Sequence, residues 1–250
     1  DFEIRWSQKG KCTLQSRIAK QDKTCTPAPH DNRRRYILSE GLGDAYPLLH
    51  CLELCDQSGR IYDKKRSKFR QINRFLEILD DVYPLLPQEG PLDVIDLCCG
   101  KSYLTFAVYF YLVQVKKREA YVTGVDRKRD VVAFCNRAAE TLHYVGLKFF
   151  AADINTYEPG RQPHLVVSLH ACDTATDYAL QKAMKWNAKV IFSVPCCQHE
   201  VNRQIQNDIL EPVLKYGILK ERMAAIITDA VRAETLEMAG YDTQILEFID

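Results

Sequence analysis

Three aspartates close three apolar runs in the middle of this chain, and a turn follows each. Asp96 lies in Asp93-Val-Ile-Asp-Leu97 and leads into Cys98-Cys-Gly-Lys-Ser-Tyr103; Asp126 ends Thr123-Gly-Val-Asp126; Asp153 ends Ala151-Ala-Asp153. Carboxylates and backbone N–H groups gathered at strand-end turns can hold a nucleotide-type cofactor. A second set of reactive types lies further on, in Ser168-Leu-His-Ala-Cys-Asp173 and Ser193-Val-Pro-Cys-Cys-Gln-His-Glu200. Imidazoles, thiols and carboxylates so grouped can move a proton, attack as nucleophiles or bind a metal.

The elements needed to position these residues are readable. Strands are expected at Asp93–Leu97, Ala120–Val125, Lys148–Ala151, Leu165–Leu169 and Lys189–Val194, with a final strand at Tyr241–Ile249. Helices are expected at Tyr103–Lys116, Asp130–Tyr144, Thr174–Trp186, Val201–Tyr216 and Lys220–Ala239, with Gly240 as a C-cap. Strands alternating with helices predict an α/β fold, a Rossmann-like parallel sheet with helices on both faces. The stretch between Asp153 and Leu165 is short for a crossover helix.

A small N-terminal hairpin and a helical extension precede that sheet. The hairpin pairs Phe2–Trp6 with Cys12–Ile18 around Ser7-Gln-Lys-Gly-Lys11. Asp22–Arg35 has loop composition, with Pro27, Pro29 and Arg33-Arg34-Arg35. Tyr46–Leu54 reads as a helix. Arg66–Leu86 is the clearest amphipathic helix: Phe69, Ile72, Phe75, Leu76, Leu79 and Val82 share one face, and Lys64, Lys65, Arg66, Lys68, Arg70 and Arg74 give a basic one. Pro84, Pro87, Gly90 and Pro91 mark a boundary. The expected divisions are residues 1–50, a hairpin and basic loop; 51–90, a helical extension; and 91–250, the cofactor-binding domain.

The 250 residues suffice for one large domain or a domain plus an extension, and the net charge of +1 provides no global field for nucleic acid. The longest apolar run, Tyr103–Val113, falls short of the ~20 residues that span a bilayer. Asp1-Phe-Glu-Ile-Arg5 has no signal-peptide pattern. Ten cysteines, with Cys98-Cys99 and Cys196-Cys197 adjacent, fit a reducing compartment better than a secreted disulfide scaffold. A cytoplasmic location is expected, with no membrane partner; oligomeric state stays open.

Two cofactors compete. A dinucleotide fingerprint wants Gly-x-Gly-x-x-Gly, but here Cys98 and Tyr103 take the first and last glycine positions. S-adenosyl-L-methionine has no phosphate to cradle. Asp96 and Gly100 would serve its amino-acid part, Asp126 its ribose and Asp153 its adenine amino group. Cys98, Arg127, Ile154 and Ser168 complete the expected cofactor lining. The competing reading makes Asp96 and Asp126 simple helix caps.

Three readings also compete at the Cys/His rim. His170, Cys172, Cys196, Cys197 and His199 could bind zinc, although no Cys-x-x-Cys pair is present. A thiolate could attack a pyrimidine ring, as in some carbon-directed RNA methyltransferases. The preferred reading needs no metal: His170, Asp173, Cys196 and His199 form the catalytic rim, and His170, Asp173 or His199 orients or deprotonates a nitrogen or oxygen nucleophile for in-line attack on a methyl group. Against all three stands the reading of Cys196 and Cys197 as packing residues in a strand and of His199 as a helix cap.

Lys68-Phe-Arg-Gln-Ile-Asn73, Asp96-Leu-Cys-Cys-Gly-Lys-Ser-Tyr103, Ser168-Leu-His-Ala-Cys-Asp173 and Pro195-Cys-Cys-Gln-His199 resemble one family of class I methyltransferases. It includes methyltransferase-like protein 25, the methyltransferase-like domain attached to a glutathione S-transferase C-terminal domain, and bacterial proteins of unassigned substrate. The resemblance covers roughly residues 60–250. A eukaryotic tRNA 2′-O-methyltransferase is a more distant likeness, sharing the His-x-Cys and Cys-Cys-x-His elements. The resemblance implies a seven-stranded sheet and S-adenosyl-L-methionine as donor, with Asp96, Gly100, Asp126 and Asp153 around it. The usual last strand after Ile249 is missing, so the native chain is expected to run further.

Lys68, Arg70, Gln71 and Asn73 are the expected substrate-binding residues. Arg33–Arg35 and Lys64–Arg74 would track a phosphate backbone, with Tyr36, Tyr62 and Phe69 available to stack bases. RNA is therefore the expected acceptor. A protein or small-molecule acceptor is the first rival, and a non-catalytic cofactor-binding module the second.

Overall fold

A computed structural model describes residues 2–6, 12–16, 36–169, 171–195 and 197–246, with only the backbone before residue 36. The chain forms two compact units, residues 1–35 and 36–250. In the first, β1 (Phe2–Trp6) pairs antiparallel with β2 (Cys12–Ser16). The connecting turn and Arg33–Arg35 lie outside the described residues.

The second unit is built on five parallel strands: β3 (Leu92–Leu97), β4 (Ala120–Asp126), β5 (Leu147–Ala151), β6 (Leu165–Ser168) and β7 (Val190–Ser193). Their order is β5-β4-β3-β6-β7. Chain direction across the sheet reverses at β3, so a crevice opens at the carboxyl ends of β3 and β6. Five of the six β3 residues are buried, as a central strand covered on both faces requires.

Helices α1 (Tyr46–Cys51), α2 (Arg66–Val82), α3 (Tyr103–Phe110), α4 (Arg129–Thr141) and α5 (Thr174–Lys185) accompany the strands. α2 buries its predicted stripe, including Phe69, Ile72, Phe75, Leu76 and Leu79. Phe75 meets Phe192 of β7 edge-on at 5.4 Å. Residues 38–86 therefore share a core with Val94 and Val167 of the sheet, while Ile95, Leu97, Val125 and Val166 build a second cluster on the opposite face.

Three expectations are corrected. The helix from Tyr103 changes to π geometry over Tyr111–Val115, where the Tyr111 hydroxyl donates to Asp80 at 2.5 Å and Lys116 pairs with the same carboxylate. The expected helix over 201–216 is broken into α6 (His199–Gln204) and α7 (Glu211–Leu214). Between them Asn207 accepts a bond from Leu210 N–H, an Asx-type turn that competes with helix, and Pro212 fits only the start of the next one. Residues 241–246 join no strand ladder, and 247–250 lie outside the described residues. The long helix α8 (Gly217–Met238) does end as expected, with Gly240 at φ +90°. Gly240 N–H reaches the Glu237 carbonyl and Tyr241 N–H the Leu236 carbonyl, a Schellman motif. The seven strands implied by the resemblance are five in this sheet among the described residues. No described helix is long and apolar enough to cross a membrane.

Candidate active site

The turn after β3 explains its unusual composition. Cys98, Gly100 and Ser102 all adopt left-handed backbone, at φ +59°, +54° and +60°. Such geometry strains every residue but glycine, and strain of this kind gathers at functional sites. The alternation matches positions 98, 100 and 102, not the 98–100–103 spacing of a dinucleotide loop. Cys99 points inward, and its N–H is bound by the Val125 carbonyl of the neighbouring strand.

Asp96 is 3% exposed. Its Oδ2 accepts the Thr105 hydroxyl at 2.5 Å, while Oδ1 is buried with no hydrogen-bond partner. Burial pushes this carboxyl up to about 7; the Thr105 bond opposes that and the Asp126 charge adds to it. A buried polar atom left unpaired costs ~1–3 kcal/mol, so Asp96 Oδ1 is suited to take a hydrogen-bond donor. Gly124, paired with Asp96 on β4, lies directly under the Phe149 ring: a Cβ there would come within 2.3 Å of it.

Asp126 is half-buried and engaged with its own loops. Its Oδ2 accepts Gly100 N–H at 2.9 Å, and Oδ1 accepts Lys128 N–H at 2.9 Å. Gly100 N–H, expected to serve the cofactor, is thus already bound, and that expectation is corrected. Each Asp126 oxygen keeps a second lone pair. Arg127 reaches across to Asp153, Nε to Oδ2 at 3.5 Å. Asp153 also accepts Asn155 N–H, and Ile154 beside it is buried. Gly100, Asp126, Arg127 and Asp153 therefore form one linked row along the carboxyl edge, with Asp96 on the adjoining strand β3.

Cys98 lies beside that row, close enough for the Asp126, Asp96 and Asp153 charges to act on its thiol, whereas Ser168 faces away from it. Cys98 packs against the opposite-face cluster, and burial pushes its thiol up to about 11, so it stays protonated near neutrality. Asp96 pairs in register with Val167, which turns the next residue, Ser168, to the other face. Ser168 pairs with Ser193, and both hydroxyls are buried without partners.

At the rim, His170 and Cys196 lie outside the described residues. Asp173 precedes α5 and accepts Glu200 N–H at 3.2 Å, tying the β6 loop to the start of α6. His199 is the exposed first residue of α6. No cluster able to hold a metal occurs among the described residues.

The α2 residues divide. Lys68 Nζ donates to Gln71 Oε1 at 2.9 Å and lies 5.4 Å over the Tyr103 ring, beside the turn. Burial, with Lys65 nearby, lowers the Lys68 pKa. Arg70 is exposed. Asn73 is buried, takes Leu38 N–H at 2.8 Å and donates to the Leu38 and Phe69 carbonyls. Asn73 is a scaffold residue, which corrects its expected place at the substrate surface.

Sequence reasoning missed Thr105 and Arg232. A single threonine inside the apolar run Tyr103–Phe110 was the available signal for the first. Arg232 shares a four-residue spacing with Ala224 and Thr228 on the buried side of α8, a weaker signal.

Residues 67–204, more than half of the chain, match a family model described as a methyltransferase domain. The chain belongs to this methyltransferase family. The family's methyl donor is S-adenosylmethionine. No curated protein matches the chain significantly. Among solved structures, coclaurine N-methyltransferase bound to N-methylheliamine and SAH is 19% identical, over 46% of this chain and 33% of that one, with a TM-score of 0.35. The citrinin polyketide synthase CMeT domain is 14% identical, over 50% and 37%, at 0.37. An S-adenosylmethionine-dependent methyltransferase from Thiobacillus denitrificans, in complex with S-adenosyl-L-homocysteine, is 23% identical, over 38% and 36%, at 0.29. The chain thus spans well under two thirds of each of these.

The residues present fit the donor. An ammonium group suits the unpaired Asp96 Oδ1, and vicinal hydroxyls suit the remaining lone pairs of Asp126. Asp153 Oδ2 would accept an exocyclic amine.

Proposed function

We propose that this protein transfers a methyl group from S-adenosyl-L-methionine to a nitrogen or oxygen nucleophile of RNA. The buried, unpartnered Asp96 Oδ1 carries the donor half of this reading. The donor supplies an electrophilic methyl on a sulfonium. Asp96 takes its ammonium, Asp126 its ribose and Asp153 its adenine, with Arg127 holding Asp153 in place. The row fixes the donor's length along the strand ends, so the methyl faces the β6 and β7 loops. There His170, Asp173, Cys196 and His199 orient the acceptor. One of the rim bases takes the acceptor's proton as the new bond to carbon forms and the carbon–sulfur bond breaks.

Support for an RNA acceptor comes from charge around the donor turn. Lys101, Lys128 and Arg129 are exposed beside it, and Lys64 and Arg70 are exposed near the start of α2. In a chain of net charge +1 this is a local concentration that can neutralise phosphates. Part of the α2 face is already paired: Arg66 with Glu40 and Asp63, and Arg74 with Glu77. The test is methyl-labelled donor in a cell lysate with added protein. Label removed by RNase supports the reading. Label that survives RNase and is lost to protease, or that stays with small molecules, overturns the acceptor.

A further inference from the structure

Arg232 is the one buried cation among the described residues. It lies on α8, beyond the residues matched by the family model, and is 8% exposed. Its Nε donates to Asp177 Oδ1 at 2.7 Å and its Nη2 to Asp177 Oδ2 at 3.1 Å, a two-pronged pair at the first turn of α5. The same Nη2 donates to the backbone carbonyl of Asp173 at 3.0 Å.

That carbonyl belongs to a strained residue. Asp173 has φ +52° and ψ −123°, and Ala175 N–H bonds back to the Cys172 carbonyl at 3.1 Å. This is a type II′ turn with Asp173 at its first central position, a conformation that costs ~1–3 kcal/mol outside glycine. Three bonds hold it: Thr176 Oγ1 to the Ala171 carbonyl, Glu200 N–H to the Asp173 carboxylate, and the Arg232 guanidinium. The first two come from the opening turns of α5 and α6, beside the rim loops. Among the described residues Arg232 alone reaches in from a distant helix, with Nε and Nη2 fully engaged and Nη1 buried 3.8 Å from Asp229 Oδ1 without a hydrogen bond.

We propose that Arg232 is a positioning residue, which holds the strained Cys172–Ala175 turn at Asp173 and so sets the reacting rim, independently of the donor turn. The proposal rests on the methyltransferase reading above. Arg232→Lys keeps the charge but loses the fork that spans Asp177 and the carbonyl. Arg232→Met removes both, and the milder Asp177→Asn covers the case in which Met does not fold.

The probes are S-adenosyl-L-homocysteine binding by calorimetry, amide hydrogen exchange across residues 169–176, and turnover on the lysate fraction that accepts label. For all three variants the expected results are an affinity within threefold of wild type and exchange of the Ala175 and Thr176 amides, which bond the Cys172 and Asp173 carbonyls, at least tenfold faster. Turnover should fall at least tenfold with little change in the KM for donor. Unchanged exchange, or turnover and donor affinity falling together, overturns the clamp. Failure of the wild-type protein to bind S-adenosyl-L-homocysteine overturns the donor reading instead, and the clamp's role with it.

Discussion

The donor turn and the reacting rim lie on the same sheet edge, yet they are held in opposite ways. The donor turn is secured by near neighbours: Cys99 by β4, Gly100 by Asp126, Asp96 by Thr105. The rim turn adds a brace from much further along the chain: Arg232 lies 59 residues from Asp173, against 26 between Gly100 and Asp126. A site that must recognise one fixed cofactor can be built into the first strand–turn–helix unit. A surface that meets an acceptor is assembled from late loops braced by a late helix, where structure can vary without disturbing the donor.

Asp126→Ala should produce the largest separation between the two regions. It removes the acceptor for two backbone N–H groups and for the donor's ribose. S-adenosyl-L-homocysteine affinity should drop by about 100-fold, equivalent to ~3 kcal/mol, while hydrogen exchange at Ala175 and Thr176 stays at the wild-type rate. Equal disturbance of both regions would merge what the structure separates.

Thr105→Val acts more gently. The Thr105 hydroxyl opposes the burial that raises Asp96, so its loss moves the Asp96 pKa further up. The pH above which donor affinity levels off should move up with it in calorimetric titrations. A downward move would mean that Thr105 does not bond the ionised form.

Cys98→Gly should have the smallest effect, and of the opposite sign. Glycine accepts φ +59° without penalty, so the variant gains up to ~1 kcal/mol, offset in part by lost thiol packing. Thermal unfolding should rise by ~2–4 °C at most. A clear fall would show that the turn is relaxed rather than strained.

Legibility in the sequence followed the same division. The strands at 92–97 and 120–126 and the acids that close them were visible because apolar runs and turn residues are local signals. The amphipathic α2 was visible for the same reason. Asp96 was recognisable as a site residue, but its unpaired oxygen was not, since Thr105 had to be folded over it first. The break at 205–210 was hidden because Gln206-Asn207-Asp208 reads as a polar helix face as easily as an Asx turn. Asn73 was misplaced because a polar residue near a basic face looks exposed, whereas its partners at Leu38 lie outside the helix. Arg232 was out of reach: nothing in its neighbours says that it will meet Asp173.

The central claim is that Asp96 holds the donor through an ionised, otherwise unpaired carboxylate. Its folded pKa of about 7 lies above the ordinary carboxyl value of 3.8, so the unliganded fold favours the protonated form and loses stability as pH rises from ~4 to 7. An ammonium ligand favours the ionised form, so donor affinity must rise with pH over the same window and level off above about 7. The direct measurement is calorimetric titration of S-adenosyl-L-homocysteine into wild-type protein and Asp96→Asn between pH 5.5 and 8.5. The account predicts wild-type affinity falling by about tenfold per pH unit well below 7, and a variant that binds ~10–100-fold more weakly at pH 8 without that slope. Equal affinity at pH 8, or the same pH slope in both proteins, would contradict it.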